Sequence, residues 1–141
     1  MSSVLISLRN ATVRLAAEPL FSALSVAVSD ADRICLVGRN GAGKSTLLKV
    51  LAGLIELDGG ERLQRVRSAV AYLPQEPQLD PRLSALDATL CGHAVDQGEF
   101  THHAAAVLDR FEIEPTRRIA DLSAGAVRRV DLARVLVGRS R

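Results

Sequence analysis

The sequence predicts an α/β protein organised around one glycine-rich loop. A β-branched run at residues 33–37 precedes this loop, and residues 44–52 follow it with leucines on one helical face. Before this unit the residues are typical of antiparallel strands, and from Leu83 onward the apolar spacing becomes helical. We therefore expect an antiparallel β part, a parallel-sheet core that carries the loop and its helix, and a small helical part.

The loop itself, residues 38–46, has the spacing G-x-x-x-x-G-K-[ST] of a phosphate-binding loop. Its glycines allow backbone N–H groups to face a single anion, and the N-terminus of the following helix adds positive charge at the same point. The lysine would reach the outer phosphates, and the Ser45 hydroxyl would ligate Mg²⁺. The sequence thus predicts a nucleotide-binding loop formed by Gly38, Arg39, Asn40, Gly41, Ala42, Gly43, Lys44, Ser45 and Thr46.

Strands are predicted on both sides of this unit. Residues 4–8, 11–15 and 20–28 are three strand candidates, with Asn10 as the break between the first two. Residues 33–37 should form a buried strand, which would make Cys35 a buried thiol. After the loop helix, the turn at residues 58–60 leads to strand candidates at 61–66 and 68–73.

Three helices are predicted in the second half. Ser84 and Asp87 have capping-box spacing for a helix that ends at Leu90. A second helix presents one apolar face and ends before Pro115, and Ser123 can cap a third that runs to about residue 137. The residues expected to face inward are Ala104, Val107, Leu108 and Phe111 in the second helix, and Val127, Val130, Ala133 and Leu136 in the third. On the third helix, Asp131 is expected to form a local charge ladder with Arg128 and Arg134.

Composition and charge exclude several classes of protein. The 141 residues suffice for one domain, and 48% hydrophobic with 24% charged residues is ordinary for a globular protein. A net charge of +2 gives no argument for nucleic-acid binding. We find no membrane-spanning run and no signal peptide, so the predicted location is the cytoplasm without direct membrane insertion.

Two further motifs complete a family resemblance. Residues 72–77 read Tyr-Leu-Pro-Gln-Glu-Pro, and residues 122–129 read Leu-Ser-Ala-Gly-Ala-Val-Arg-Arg at the start of the last helix. Together with the phosphate loop they resemble the nucleotide-binding domain of ATP-binding cassette (ABC) proteins. The resemblance implies that Gln75 is the Q-loop residue that contacts Mg²⁺ and the attacking water. It also implies that Ser123, Ala124 and Gly125 form the signature, which covers the γ-phosphate held by a second cassette.

The resemblance also implies an incomplete domain. It predicts that residues 1–141 are one ABC cassette with a helical subdomain inserted at about 78–121, and with the C-terminal part of the core missing. The family's Asp-Glu strand and switch histidine would follow Arg141. Lys44 and Gln75 would then be the catalytic residues of a parent ATPase, while the 141 residues alone would scarcely hydrolyse ATP. Leu15 stands where the family stacks an aromatic ring on adenine, and Ala124 and Ala126 depart from the usual signature.

Three functions remain open at this point. The motif wording is most similar to the ABC-F group, soluble tandem-cassette ATPases associated with ribosomes. The first alternative is the ATP-binding subunit of a membrane transporter, whose partner would be a permease. The second alternative is a degenerate module that binds ATP without hydrolysing it.

Overall fold

The computed structural model describes residues 3–15, 17–65, 70–92 and 99–138. They fall into two compact units, Met1–Val70 and Ala71–Arg141. The first unit contains β1 (Val4–Leu15), β2 (Glu18–Ser29), α1 (Lys44–Leu51) and β3 (Gly59–Gln64). The second contains α2 (Ala85–Leu90), α3 (Glu99–Arg110), a 3-10 turn (Ile119–Asp121) and α4 (Ala124–Gly138).

The first unit is an antiparallel sheet with the strand order β2-β1-β3. The predicted break at Asn10 is wrong, because residues 4–8 and 11–15 belong to one continuous strand. Asn10 takes a left-handed φ of 48° and donates its backbone N–H to Ser25 Oγ at 3.0 Å. This irregularity bends the strand without ending its pairing, as β-bulges do.

Gly60 fits the sheet at the same irregularity. Its φ is 87°, and a Cβ atom added there would lie 2.4 Å from the Asn10 carbonyl oxygen. Only glycine allows two strand backbones to approach so closely. The turn predicted at residues 58–60 is wrong at Gly59 and Gly60, which belong to β3; this strand ends at Gln64, two residues before the predicted end.

The core of the first unit joins the sheet to α1. Leu8, Ala11 and Val13 alternate along β1 on one face, and Val50 of α1 is fully buried against the same cluster. Burying an aliphatic side chain of this kind contributes about 1.5–3 kcal/mol, which secures the helix that begins at the loop. The partly buried side chains packed around this cluster are Phe21, Leu24, Val26, Leu47, Leu51, Ile55 and Leu57.

The prediction of a buried strand at residues 33–37 is wrong for this structure. Residues 32–39 form no strand, Ile34 is 52% exposed and Val37 is 90% exposed. Cys35 is exposed as well, so its predicted burial is also wrong. A strand of a parallel sheet is buried only when neighbours cover both its edges and its faces, and the described residues provide no such neighbour. The predicted parallel core is therefore not formed among the described residues.

The second unit is a helical cluster whose helices lie where they were predicted, except that α3 ends at Arg110, four residues before the predicted end at Glu114. Ser84 Oγ accepts the Asp87 N–H at 3.0 Å, which confirms the cap of α2. Ahead of α2, the Arg82 guanidinium hydrogen-bonds Asp80 and lowers the pKa of that carboxyl to about 2. The helices enclose one core made of Ala85, Ala88, Leu108, Ile113, Ile119, Ala126, Val130 and Ala133.

One prediction about α4 needs correction: Leu136 is 39% exposed, and Val137 is the buried residue in that turn. The predicted charge ladder is confirmed, because Asp131 lies 3.9 Å from Arg128 and 2.8 Å from Arg134, and its side chain is fully buried. The strand predicted at 68–73 is absent from residues 70–73, and residues 66–69 lie outside the described part.

Candidate nucleotide-binding site

The phosphate loop has the backbone that its glycines predict. Gly41 and Gly43 take φ values of 82° and 87°, a region that other residues rarely adopt. Between them, Ala42 donates its N–H to the Arg39 carbonyl at 3.2 Å and closes a turn. Residues 38–42 are exposed, so the loop is open to a ligand.

Lys44 lies over its own loop. Its Nζ donates hydrogen bonds of 2.7 Å to the carbonyl oxygens of both Gly38 and Arg39. The ammonium is therefore held against the loop by these two carbonyl oxygens. An anion that enters the loop would meet this charge directly.

Gly43 connects the loop to the helix and leaves the helix end open. It stands at the N-cap of α1, and no side chain caps the N–H groups of the first turn. Leu20 of β2 packs against it, because a Cβ atom on Gly43 would lie 2.9 Å from Leu20 Cγ. Uncapped N–H groups at a helix N-terminus attract anions.

Arg62 fixes the opposite end of α1. Its Nε and Nη2 donate to the Leu51 carbonyl oxygen at 3.1 and 2.8 Å. A guanidinium on the last carbonyl groups complements the negative end of the helix dipole. Arg62 of β3 thus holds the C-terminus of α1, while the N–H groups at the N-terminus of α1 remain uncapped.

These residues fit a nucleotide phosphate group. A Cβ atom on Gly41 would meet nothing within 4 Å, so the space beside the loop is free. No acidic residue lies in the first turn of α1 to repel an anion. For Mg²⁺, Ser45 supplies an exposed hydroxyl, and Mg²⁺ usually takes most of its remaining ligands from phosphates and water. The described residues hold no cluster of three or more His, Cys, Asp or Glu that could bind a metal without a nucleotide.

Gln75 lies in an irregular segment of the second unit. Its side chain is exposed, as a residue that contacts a ligand requires. The carbonyl oxygen of the preceding Pro74 accepts a hydrogen bond from Arg128 Nη1 on α4. The segment that carries Gln75 is thereby attached to the helix that follows the signature residues. The roles of Gln75 in Mg²⁺ and water binding remain predictions.

The signature residues begin α4. Ser123 Oγ accepts the Ala126 N–H at 3.2 Å, which confirms Ser123 as the cap of this helix. Ser123, Ala124 and Gly125 are all exposed, and a Cβ atom on Gly125 would meet nothing within 4 Å. The three residues thus present an open surface, and their predicted contact with a second cassette's nucleotide remains a prediction.

Leu15 stands at the position where the resemblance predicts an aromatic ring that stacks on adenine. Leu15 ends β1 with 72% of its surface exposed, whereas Phe21 packs against the core of the first unit. Phe21 is therefore committed to the core in place of base stacking. An exposed aliphatic side chain at Leu15 gives an adenine ring less stacking stabilisation than an aromatic ring would.

Sequence reasoning missed three residues that shape these sites. Leu20 against Gly43, Arg62 on the end of α1 and Arg128 on Pro74 were not singled out for these contacts. Each contact joins residues far apart in the chain, so no local pattern signals it. For Arg62 a weak signal existed, since an arginine often binds the end of a helix that packs on its strand.

The loop, the open helix N-terminus and the lysine define the class first: this is a phosphate-loop nucleotide-binding protein of α/β type. A family profile described as ABC transporter matches residues 21–141, which include all three motifs. The chain belongs to the ABC transporter family, as an ATP-binding cassette domain.

Curated relatives agree with this assignment. The ATP-binding protein Uup of Caulobacter vibrioides is 44% identical over 125 residues, which are 86% of this chain and 20% of Uup. The zinc import ATP-binding protein ZnuC of Cereibacter sphaeroides is 33% identical over 94% of this chain and 55% of that protein. The chain therefore spans about a fifth of the Uup relatives and about half of the import proteins that it matches.

Solved structures confirm the fold. A putative metal-chelate type ABC transporter in an inward-facing conformation aligns with a TM-score of 0.81 and 24% identity, over 96% of this chain and 56% of that one. A dimeric ATP-binding cassette in a post-hydrolysis state with ADP and Pi aligns with a TM-score of 0.77 and 21% identity, over 94% and 69%. The predicted ABC-type α/β class is therefore confirmed.

Proposed function

We propose that this chain binds Mg-ATP through residues 38–46, as part of an ABC ATPase that hydrolyses ATP between two cassettes. The observation that carries the proposal is the pairing of Lys44 with an uncapped α1 N-terminus at an open loop. Phosphoryl transfer depends mainly on positioned positive charge, and this arrangement provides it. Residues 1–141 then form one cassette, with a helical subdomain inserted at about 78–121.

The second cassette follows from the signature. Ser123, Ala124 and Gly125 offer a hydroxyl, backbone N–H groups and a helix N-terminus on an exposed surface. These are groups that bind an anion. A dimeric cassette with ADP and Pi among the solved structures supports a partner of the same kind. In the proposal, the signature of one cassette completes the phosphate site of another.

We further propose that the intact gene product is a cytoplasmic, ABC-F-like factor that works with the ribosome. The amino-acid sequences of the phosphate loop and of residues 72–77 support this group. The relative that is 44% identical is named only as an ATP-binding protein. Within the described residues, no helix is long and apolar enough to cross a membrane.

A transporter role is the second candidate, and the identities favour it in part. Relatives at 32–35% identity are named as import ATP-binding proteins for zinc, sulfonates and iron. In that role the cassette would bind a membrane permease. ATP-dependent co-sedimentation with ribosomes supports the first candidate, whereas co-purification with a permease from membranes supports the second.

Binding and turnover measured together test the ATPase proposal. Lys44→Ala should weaken binding of a fluorescent ATP analogue by about 10-fold to 100-fold, because it removes charged hydrogen bonds worth about 1.5–3 kcal/mol. It should also abolish phosphate release by the intact gene product. Lys49→Ala is the matched control, since Lys49 lies in the last turn of the same helix, away from the loop.

Each outcome of this experiment has a defined meaning. Equal binding by the Lys44→Ala and wild-type proteins would contradict the phosphate site. Tight binding without phosphate release by the intact gene product would establish the degenerate module instead. The 141-residue chain alone should bind ATP and release little phosphate, and strong Lys44-dependent turnover from it would contradict the need for further catalytic carboxylates.

A further inference from the structure

The segment that carries Gln75 is attached to α4 by one arginine. Arg128 Nη1 donates to the Pro74 carbonyl oxygen, across 54 positions of sequence. That carbonyl belongs to the peptide unit that ends at the Gln75 nitrogen, and a peptide unit is planar. A hydrogen bond that holds the Pro74 oxygen therefore restrains the plane of the peptide unit between Pro74 and Gln75.

A buried carboxylate lies beside the same guanidinium. Asp131 is fully buried, and its Oδ2 atom lies 3.9 Å from Arg128 Nη1. Arg134 Nη2 lies 2.8 Å from the other oxygen, yet neither carboxylate oxygen accepts a well-aligned hydrogen bond within the described part of the chain. The carboxylate thus acts through charge, and a buried charge requires such paired neighbours.

The neighbouring arginine provides a built-in comparison. Arg129 Nη1 donates to the Phe111 carbonyl oxygen at 2.7 Å, and it lies 4.0 Å from Glu112. The two arginines are similarly exposed, at 39% and 44% of their side chains. Both attach α4 to a backbone carbonyl, but only Arg128 reaches the segment of Gln75.

We infer that Arg128 is a positioning residue for Gln75, and that Asp131 aligns it. The inference rests on the proposed ATPase function for its catalytic consequence, and on the contacts alone for its structural one. Arg128 holds the Pro74–Gln75 peptide plane against α4, the helix that the signature residues begin. The orientation of Gln75 and the position of the signature are then set by one hydrogen bond, which the negative charge of Asp131 strengthens.

Backbone dynamics and steady-state kinetics on the intact gene product test this inference. In Arg128→Gln labelled with 15N-glutamine, the amide order parameters of Gln75 and Gln78 should fall from about 0.85 to below about 0.6, because the segment loses its attachment. The kcat for ATP should fall about tenfold with KM changed by less than about twofold, since only the positioning of Gln75 is lost. Arg129→Gln should change neither the order parameters of these two amides nor the kcat.

Two further variants separate positioning from general stability. Arg128→Lys keeps the charge and should restore part of the kcat, whereas Asp131→Asn keeps the shape and should lower the order parameters of the Gln75 and Gln78 amides by less than Arg128→Gln does. If Arg128→Gln does not fold by circular dichroism, the same comparison is made between Arg128→Lys and Arg129→Lys.

The attachment and the ATPase function can fail separately. Equal order parameters of the Gln75 and Gln78 amides in the paired Arg128 and Arg129 variants would overturn the inference, whatever the ATPase activity. A decrease confined to the Arg128 variant supports the attachment, even if the wild-type protein releases no phosphate. In that second case only the proposed function is contradicted.

Discussion

The N-termini of α1 and α4 are both predicted to face nucleotide phosphates, yet the structure builds them differently. α1 starts at Gly43 with no side-chain cap, and it is held at its other end by Arg62. α4 starts after Ser123, whose hydroxyl accepts the Ala126 N–H. The N-terminus of α1 therefore has uncapped N–H groups and its C-terminus is held by Arg62, whereas one N–H group at the N-terminus of α4 already has a hydrogen-bond acceptor.

This difference indicates how each end can bind an anion. The uncapped N–H groups of α1 gain hydrogen bonds when a phosphate arrives, so binding has little to displace within the helix. At α4 the Ser123 hydroxyl already accepts the Ala126 N–H, so a phosphate there meets fewer uncapped N–H groups than at α1, together with the Ser123 O–H and the helix dipole. The first end is suited to bind on its own, and the second to complete a site held elsewhere.

The largest expected effect on stability comes from replacing Gly43, the N-cap residue of α1. Gly43→Ala should lower the free energy of unfolding by about 2–3 kcal/mol, because an L-residue is strained at a φ of 87° and its Cβ would press on Leu20. ATP binding should fall with it. Urea denaturation and titration with a fluorescent ATP analogue measure the two effects.

The matched control for that change is Gly125→Ala in the first turn of α4. An added Cβ meets nothing within 4 Å there, so the unfolding free energy should stay the same or rise by up to about 0.5 kcal/mol. Similar destabilisation by both alanines would show that the two helix ends do not differ as described. Leu20→Ala combined with Gly43→Ala should recover the part of the loss that is steric.

An intermediate effect on stability is expected from replacing Arg62, which contacts the C-terminus of α1. Arg62→Gln removes the charged hydrogen bonds to the Leu51 carbonyl and should lower the unfolding free energy by about 1.5 kcal/mol. ATP affinity should change far less than in Lys44→Ala, because no contact to the loop is lost. A drop in affinity as large as that of Lys44→Ala would contradict a purely supporting role for Arg62.

The smallest expected effect on stability comes from removing the side-chain cap at the N-terminus of α4. Ser123→Ala should lower the unfolding free energy by about 1 kcal/mol through loss of the cap, and binding of ATP by the same chain should stay unchanged. Ser84→Ala removes the equivalent cap of α2 and serves as the control. A loss of phosphate release in Ser123→Ala that Ser84→Ala does not share would indicate the predicted role in trans.

Short-range patterns predicted most of what is local in this molecule. The conformation of the loop, the position of α1 and the caps of α2 and α4 each depend on residues a few positions apart, and these predictions are confirmed, whereas nucleotide binding by the loop remains a prediction. The continuity of β1 through Asn10 was missed because an asparagine that ends a strand and one that bends it look alike in a sequence.

Predictions that depend on distant neighbours failed for a different reason. The apolar residues at 33–37 predict a buried strand, but burial requires partner strands that the described residues do not provide. The charge ladder of Asp131 was predicted correctly, but the full burial of that carboxylate was not, because charge spacing along a helix carries no information about packing against it. The contacts of Leu20, Arg62 and Arg128 depend on tertiary structure in the same way.

The two hydrogen bonds from Lys44 to its own loop have a consequence for ligand binding. An ammonium has three N–H donors, and the Gly38 and Arg39 carbonyl oxygens accept two of them. The third can bind a phosphate oxygen while the other two keep the ammonium in place, so a ligand need displace neither bond. Because the loop itself holds the charge, less side-chain entropy is lost when a phosphate binds.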